Sequence, residues 1–522
     1  MKTADRVFTN AAVHTLADPD ADGTPDAEAV AVRDGRIVRV DSAHECEFLA
    51  DVETDVIDCG GRHLLPGFID AHTHMEHLGA TLRATALGTD DRATAIDRLV
   101  AAADDGDGPI RGHGYDESRW ADDRYLTRSE LDAVSETRPV VAFRVDMHAA
   151  SVNSVAIERY AIPDDALVVA DGDPTGVVRE ATDVLTEATR PDSEGVRERL
   201  LAARDRAHEC GVTGVHDMVA TSVVPRLYRE LAAAGDLDLR VRINYWRGFL
   251  DPAREVGLVT DRDPSGLVSV GAIKSVSDGS IGARTARIAE PYADDPGERG
   301  EWVVDPATLR SLVADAEAAG FDAAIHAIGD RAVTESLVAV AGPDEGSIGD
   351  DADDTTDGGN DFRHRIEHAE LADEAAIRRL AAGDAVASVQ PNFLRWADEG
   401  GLYDCRLGET RRRESNRFGR LHEAGARLAF GSDCMPFGPL RGLAAVVDAP
   451  TEDQRLSVTD ALRAYTVGSA YAGRDEDRLG TVETGTRADL VVLDESPWTA
   501  PSIAEIDVAV TVVDGNVVYD DR

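Results

Sequence analysis

A short apolar run ends in two histidines one residue apart: Leu64-Leu65-Pro66-Gly67-Phe68-Ile69-Asp70-Ala71-His72-Thr73-His74. In an extended chain residues i and i+2 point the same way, so both imidazoles can face one cation. Imidazole is a borderline ligand suited to zinc and similar divalent metals. Three further groups stand at the ends of later apolar runs: His326 after Asp322-Ala323-Ala324-Ile325, His368 after Arg365-Ile366-Glu367, and Asp433 after Ala429-Phe430-Gly431-Ser432. A lone histidine is more often a surface or satisfied core residue than a ligand. Four histidines and an aspartate at equivalent points predict a centre holding one or two divalent ions per chain, zinc foremost.

Lysine supplies a second clue. The chain has 54 basic residues, yet only Lys2 and Lys274 are lysines. Lys274 sits among apolar neighbours in Val270-Gly271-Ala272-Ile273-Lys274-Ser275-Val276. Burial depresses a lysine pKa and leaves a nucleophilic amine. Such an amine can add CO₂ to give a carbamate, an anion able to bridge two metals, which arginine cannot do. The plainer reading is a lysine that snorkels to the surface or pairs with Asp278.

These groups need a scaffold that brings strand ends together. Eight apolar runs alternate with helical stretches: 67–72, 213–218, 240–245, 271–276, 323–328, 365–368, 386–390 and 427–432. The intervening helical patterns include 306–320 and 373–382. Eight strand–helix units predict an α/β fold, a (β/α)8 TIM barrel over residues 65–475, with catalytic groups at the strand C-termini. The long gap after the first strand predicts an inserted subdomain over residues 76–205, covering the barrel mouth, with helical runs at 93–104 and 197–210 and a β-stretch at 139–145. Short alternating strands at 7–8, 29–32, 36–40 and 56–58 are answered by 488–493, 508–513 and 517–519. They predict a small β-sandwich from residues 1–64 and 476–522, with a hairpin turn at 33–36. The Asp- and Gly-rich stretch 343–361 reads as a solvated loop.

Composition narrows the function. Asp and Glu number 99 against those 54 basic residues, a net charge of −45. A field of that sign disfavours nucleic acid and anionic membranes, and its even spread along the chain suits a surface kept hydrated in concentrated salt. No run approaches the roughly 20 apolar residues of a membrane span, and the first residues lack the apolar core of a secretory signal. Five scattered cysteines without a C-x-x-C pair argue against a disulfide framework. The expectation is a cytoplasmic enzyme acting on a small molecule, with no nucleic-acid or membrane partner. Oligomeric state is open, a homodimer being the expectation by analogy.

In that order, His72-x-His74, Lys274, His326, His368 and Asp433 resemble the amidohydrolase superfamily with a carboxylated-lysine centre. The segments PGFIDAHTH (66–74), GHGYDESRW (112–120), DMHAASVNS (146–154), GVTGVHD (211–217), IKSVSDGSIGARTA (273–286), EPYADDPGERG (290–300), HAIGDRAV (326–333), RIEHAEL (365–371), GSDCMP (431–436) and GTVETGTRADLVVLD (480–494) resemble the amidohydrolase 3 branch, relatives of N-substituted formamide deformylase. The resemblance implies a barrel with a β-sandwich from both termini. It implies that His72 and His74 hold one metal, that His326 and His368 hold the other, and that carboxylated Lys274 bridges them. Asp433 would bind metal and act as general base on the bridging hydroxide, cleaving a non-peptide carbon–nitrogen bond of an amide, N-substituted formamide or cyclic amide. A mononuclear, deaminase-like hydrolase with unmodified Lys274 is the alternative within the fold, and a non-catalytic scaffold is the alternative outside it. His113, Tyr115, Asp116, Trp120, Asp146 and His148 in the insertion, and Asp278, Arg284 and Glu290 after the fourth strand, are candidates to shape the substrate pocket. His216 and Asp217 are candidates to support the ligands, while His77 and Cys434 have only their proximity in sequence.

Overall fold

A computed structural model describes residues 3–103, 108–145, 149–170, 172–179, 181–342 and 362–522. The stretch 343–361, expected to be a solvated loop, lies outside the described residues, as do Asp146 and His148. The chain divides into two compact units, one of residues 1–75 and 204–522, the other of residues 76–203.

In the first unit eight parallel strands form one sheet: β1 (Phe68–Thr73), β2 (Val212–Val219), β3 (Arg240–Trp246), β4 (Val268–Val276), β5 (Ala323–Ala327), β6 (Arg365–His368), β7 (Val386–Val389) and β8 (Leu428–Phe430). Their order in the sheet is their order in the chain, which right-handed βα connections produce. All eight predicted strands are present. β1, β2 and β6 to β8 are buried at every position, as strands covered on both faces must be. The seam between β8 and β1 carries no strand ladder but is stitched by one carboxylate. Oδ1 of Asp70 accepts from the His72 amide at 3.1 Å and from the Ser432 amide at 2.9 Å. The Asp433 amide then donates to the His72 carbonyl at 2.8 Å.

Local rules set the helices between strands. Asp305 caps Pro306–Ala318 by accepting from the Ala307 and Thr308 amides, with Pro306 in the first turn, where its missing N–H costs nothing. Asp373 caps Glu374–Ala381, which buries Ala376, Ile377 and Leu380.

A five-stranded sheet pairs Ala12–Val13 and His63–Pro66 with Leu490–Leu493, Val508–Val513 and Asn516–Asp520, so both ends of the chain build it. A four-stranded sheet of Arg6–Thr9, Ala29–Arg33, Arg36–Asp41 and Asp55–Asp58 shares its core, in which Phe8, Val30 and Val32 meet Leu490, Val492 and Val510. The hairpin turn at Asp34-Gly35 has φ of 53° and 71°, the two positive values that a twist-matched two-residue turn requires. Arg240 at the start of β3 ties this layer to the barrel through a buried, two-point ion pair with Asp489 at 2.5 and 2.8 Å.

The second unit is more β-rich than its sequence suggests. Its sheet has six strands, in the order Leu167–Ala170, Asp173–Arg179, Ala149–Val152, Val140–Arg144, Ile110–Tyr115 and Thr85–Ala86. Only Val140–Arg144 reads clearly as a strand. The Gly-His-Gly of 112–114 and the Asp-Pro-Thr-Gly of 173–176 hide their segments, because glycine and proline are depleted in strands. Among the described residues no helix is long and apolar enough to cross a membrane.

Candidate metal centre

The proposed ligands stand at the C-terminal ends of β1, β4, β5, β6 and β8, the face on which barrel enzymes carry their chemistry. His72 is the penultimate residue of β1, with His74 just beyond that strand. Nε2 of His74 lies 3.2 Å from Oδ1 of Asp433, and Nε2 of His72 lies 3.6 Å from it. Ligand atoms of these three side chains all fall within 4.8 Å of one another. The His326 and His368 rings are 4.4 Å apart between centroids, and His72 and His368 are 4.9 Å apart.

Reaching this arrangement costs the backbone. Arg365 and Glu367 share one face of β6, so a regular pleat would turn His368 to the other. φ of 74° at His368 and 48° at Ala369 breaks the pleat there. Asp433 and Cys434 are likewise left-handed, at 51° and 59°. Non-glycine residues held at positive φ cost of order 1–3 kcal/mol each and cluster at functional sites.

Two of the imidazoles have a defined outer partner on Nδ1. Nδ1 of His72 meets Oε2 of Glu367 at 2.7 Å, and Nδ1 of His368 meets Oε1 of Gln390 at 2.7 Å. Both acceptors are oxygens, so Nδ1 carries the proton and Nε2 keeps its lone pair for a cation. Burial holds His72 and His368 well below the ordinary histidine range and puts His326 at about 4, with Lys274 adding to the effect in all three. All three are therefore neutral at pH 7, the form that ligates metal.

Lys274 on β4 is buried, and its Nζ has no hydrogen-bond partner. Burial lowers it to about 8, although Glu367 and Asp433 pull the other way. Burial raises Asp433, but His72, His74 and Lys274 outweigh that and hold it at about 2, so it is ionised. Three neutral imidazoles, a fourth (His74) that burial lowers but its bond to the Asp433 carboxylate raises on balance, an ionised carboxylate and an unpartnered buried amine are a donor set that fits divalent cations.

Several supporting residues were not singled out in the sequence. Arg365, 2% exposed, grips Glu367 at 2.8 and 3.0 Å and also donates to the Ala71 carbonyl, Ser388 Oγ and His216 Nδ1. Position was the available signal. Glu367 lies two residues from Arg365 on one strand face, and Gln390 follows β7 as the ligands end theirs. His216 thus supports Arg365, while Asp217 accepts from the Met75 amide at 2.9 Å and from the Tyr228 hydroxyl at 2.8 Å.

Most of the remaining candidates have partners of their own, although Asp278 Oδ1 also lies 3.8 Å from Nε2 of His326. Asp278 is fully buried and accepts from the Arg287, Ile328 and Gly329 amides, which makes it a loop staple. Arg284 is paired with Asp294 at 2.8 and 3.1 Å, and Glu290 is exposed. In the second unit Tyr115 and Trp120 belong to the apolar core, stacked at 5.5 Å, with the Trp120 indole donating to the Thr89 carbonyl. Asp116 caps the turn 117–119, and His113 is half-buried on its strand. Cys434 accepts from the His74 amide through sulfur at 3.4 Å, and His77 lies in helix Met75–Arg83.

Comparison with known proteins agrees with this geometry. Residues 55–519 match the amidohydrolase family. The chain is 30% identical to YtcJ of Bacillus subtilis over 94% of its own length and 96% of that protein's. It is 27% identical to N-substituted formamide deformylase of Arthrobacter pascens over 95% of both chains. A solved metal-dependent hydrolase from Pyrococcus furiosus superposes with a TM-score of 0.79 at 27% identity, covering 95% of this chain and 100% of that one. The chain belongs to the amidohydrolase family, enzymes that hydrolyse carbon–nitrogen bonds.

Proposed function

We propose that the protein hydrolyses a non-peptide carbon–nitrogen bond of a small molecule, an amide, N-substituted formamide or cyclic amide. The observation that carries this reading is the convergence of His72, His74 and Asp433 beside the unpartnered amine of Lys274. The N-substituted formamide among these substrates is supported by the similarity to N-substituted formamide deformylase along nearly the whole chain.

His72, His74 and Asp433 would hold one divalent cation, and His326, His368 and Lys274 a second. Bound there, zinc or a similar ion lowers the pKa of water and polarises a carbonyl oxygen. Asp433, ionised and held between two imidazoles, takes a proton at its carboxylate and delivers it to the leaving nitrogen. Lys274 would serve as a ligand in its carbamate form: the neutral amine adds CO₂, an N–C bond forming as one C=O π bond opens onto oxygen, and the nitrogen's proton leaves to water. Glu367 and Gln390 hold the rings of His72 and His368 in register. A one-ion, deaminase-like variant is favoured by one fact: among the described residues, only the His72–His74–Asp433 group brings three such ligand atoms together. The free state of all five cysteines supports a cytoplasmic setting, and the charge of −45 supports a salt-adapted surface.

The test is a panel of N-substituted formamides, linear amides and cyclic amides, assayed for released amine or carboxylate with Zn²⁺, bicarbonate and molar salt present. Turnover of one class, abolished in Asp433→Asn, is the expected result. Metal-loaded protein inert to the whole panel would overturn the assignment.

A further inference from the structure

The two buried imidazoles that face each other across the centre are backed by different chemistry. His72 donates to a carboxylate, Glu367, whereas His368 donates to a neutral amide, Gln390, each at 2.7 Å. We propose that the two cation positions are unequal, and that Glu367 is the positioning residue that makes them so. The His72–His74–Asp433 position holds its ion more tightly than the position beside Lys274, His326 and His368. This rests on the metal-hydrolase reading above.

Three observations converge. First, a carboxylate behind a ligating histidine makes a charge-assisted bond that fixes the ring and raises its basicity more than an amide does. Glu367 cannot swing away, because Arg365 grips both of its oxygens and is itself anchored at 2.6–2.8 Å by Ala71, Ser388 and His216. The Gln390 amide is fixed in the opposite sense: its Nε2 faces the Ser388 carbonyl at 3.4 Å, leaving Oε1 for His368. Second, the donor atoms of His72, His74 and Asp433 already lie within 4.8 Å of one another, so little rearrangement opposes binding. Third, the other position is less prepared. Nε2 of His326 is engaged 3.1 Å from the Gly279 carbonyl, and Nζ of Lys274 has no partner.

The decisive variant is Glu367→Gln. It keeps the shape and an oxygen acceptor for His72 but leaves both imidazoles backed by amides. Zn²⁺ binding is measured by chelator competition on stripped protein. The wild type is expected to bind in two steps, the tighter one ahead by tenfold or more. Glu367→Gln should weaken that tighter step by roughly 10–100-fold and bring the two together, with the weaker step unmoved. Gln390→Glu should instead tighten the weaker step. Removing the carboxylate leaves Arg365 buried without its partner, so the double variant Arg365→Met/Glu367→Gln serves as a charge-balanced control, with circular dichroism reporting the fold. Should the Glu367 variants fail to fold, Gln390→Glu decides alone: a weaker step that does not tighten overturns the proposal. Two equal wild-type steps would overturn it, as would Glu367→Gln weakening both steps alike or neither. A wild type that binds no metal at all would instead remove the reading on which it rests.

Discussion

Replacing Lys274 with methionine should stabilise the metal-free protein. The side chain is 2% exposed and its Nζ has no hydrogen-bond partner, so at neutral pH an ammonium is held where little compensates it. A lysine titrating at about 8 instead of 10.5 has its cation disfavoured, chiefly by burial. At about 1.4 kcal/mol per tenfold, that is roughly 3 kcal/mol. Methionine keeps the length and removes the charge. The penalty applies in full below pH 8. It fades as pH rises toward 10.5, because across that window the unfolded chain binds more protons than the folded one and wild-type stability climbs. Urea unfolding of chelator-stripped protein in constant salt, followed by circular dichroism from pH 6 to 10, should show Lys274→Met ahead by roughly 3 kcal/mol at pH 7, with the gap closing at the alkaline end. A variant less stable than wild type at pH 7 would instead make Lys274 a paired, stabilising cation.

Asp433→Asn should lower turnover by about 10²–10⁴-fold while zinc content, read by mass spectrometry, is largely retained; unchanged turnover would remove Asp433 as the base. Arg240→Met should cost about 3–5 kcal/mol in urea unfolding, because it strands the carboxylate of Asp489, which is 6% exposed. A loss under 1 kcal/mol would show that this ion pair contributes little to joining β3 to the terminal layer.

Much of this molecule is legible from residue order. Each barrel strand is a short apolar run between turn signals, and five of the eight carry a ligand-type residue at or near their C-terminal end, so strand and site announce one another. Lys274 stands out because arginine has replaced lysine almost everywhere else. What escapes is set by contacts distant in the chain. Glu367 meets His72 across 295 positions, a partnership no local pattern encodes. Asp70 looks like part of an apolar strand, yet it stitches β1 to the loop after β8. Tyr115 and Trp120 look like pocket residues because aromatic and polar groups mingle around them, yet tertiary packing makes them core. The strands of the second unit were obscured by glycine and proline, whose low strand propensity was overruled by the sheet around them.

We propose that the group at the barrel strand ends is a metal centre. The most direct test is metal content per chain, on protein purified in high salt with bicarbonate, beside a His72→Ala/His74→Ala control. Between one and two divalent ions are expected in the wild type, with loss of the tighter one in the control. A wild type carrying none, and taking up none when Zn²⁺ or Mn²⁺ is added, would contradict it.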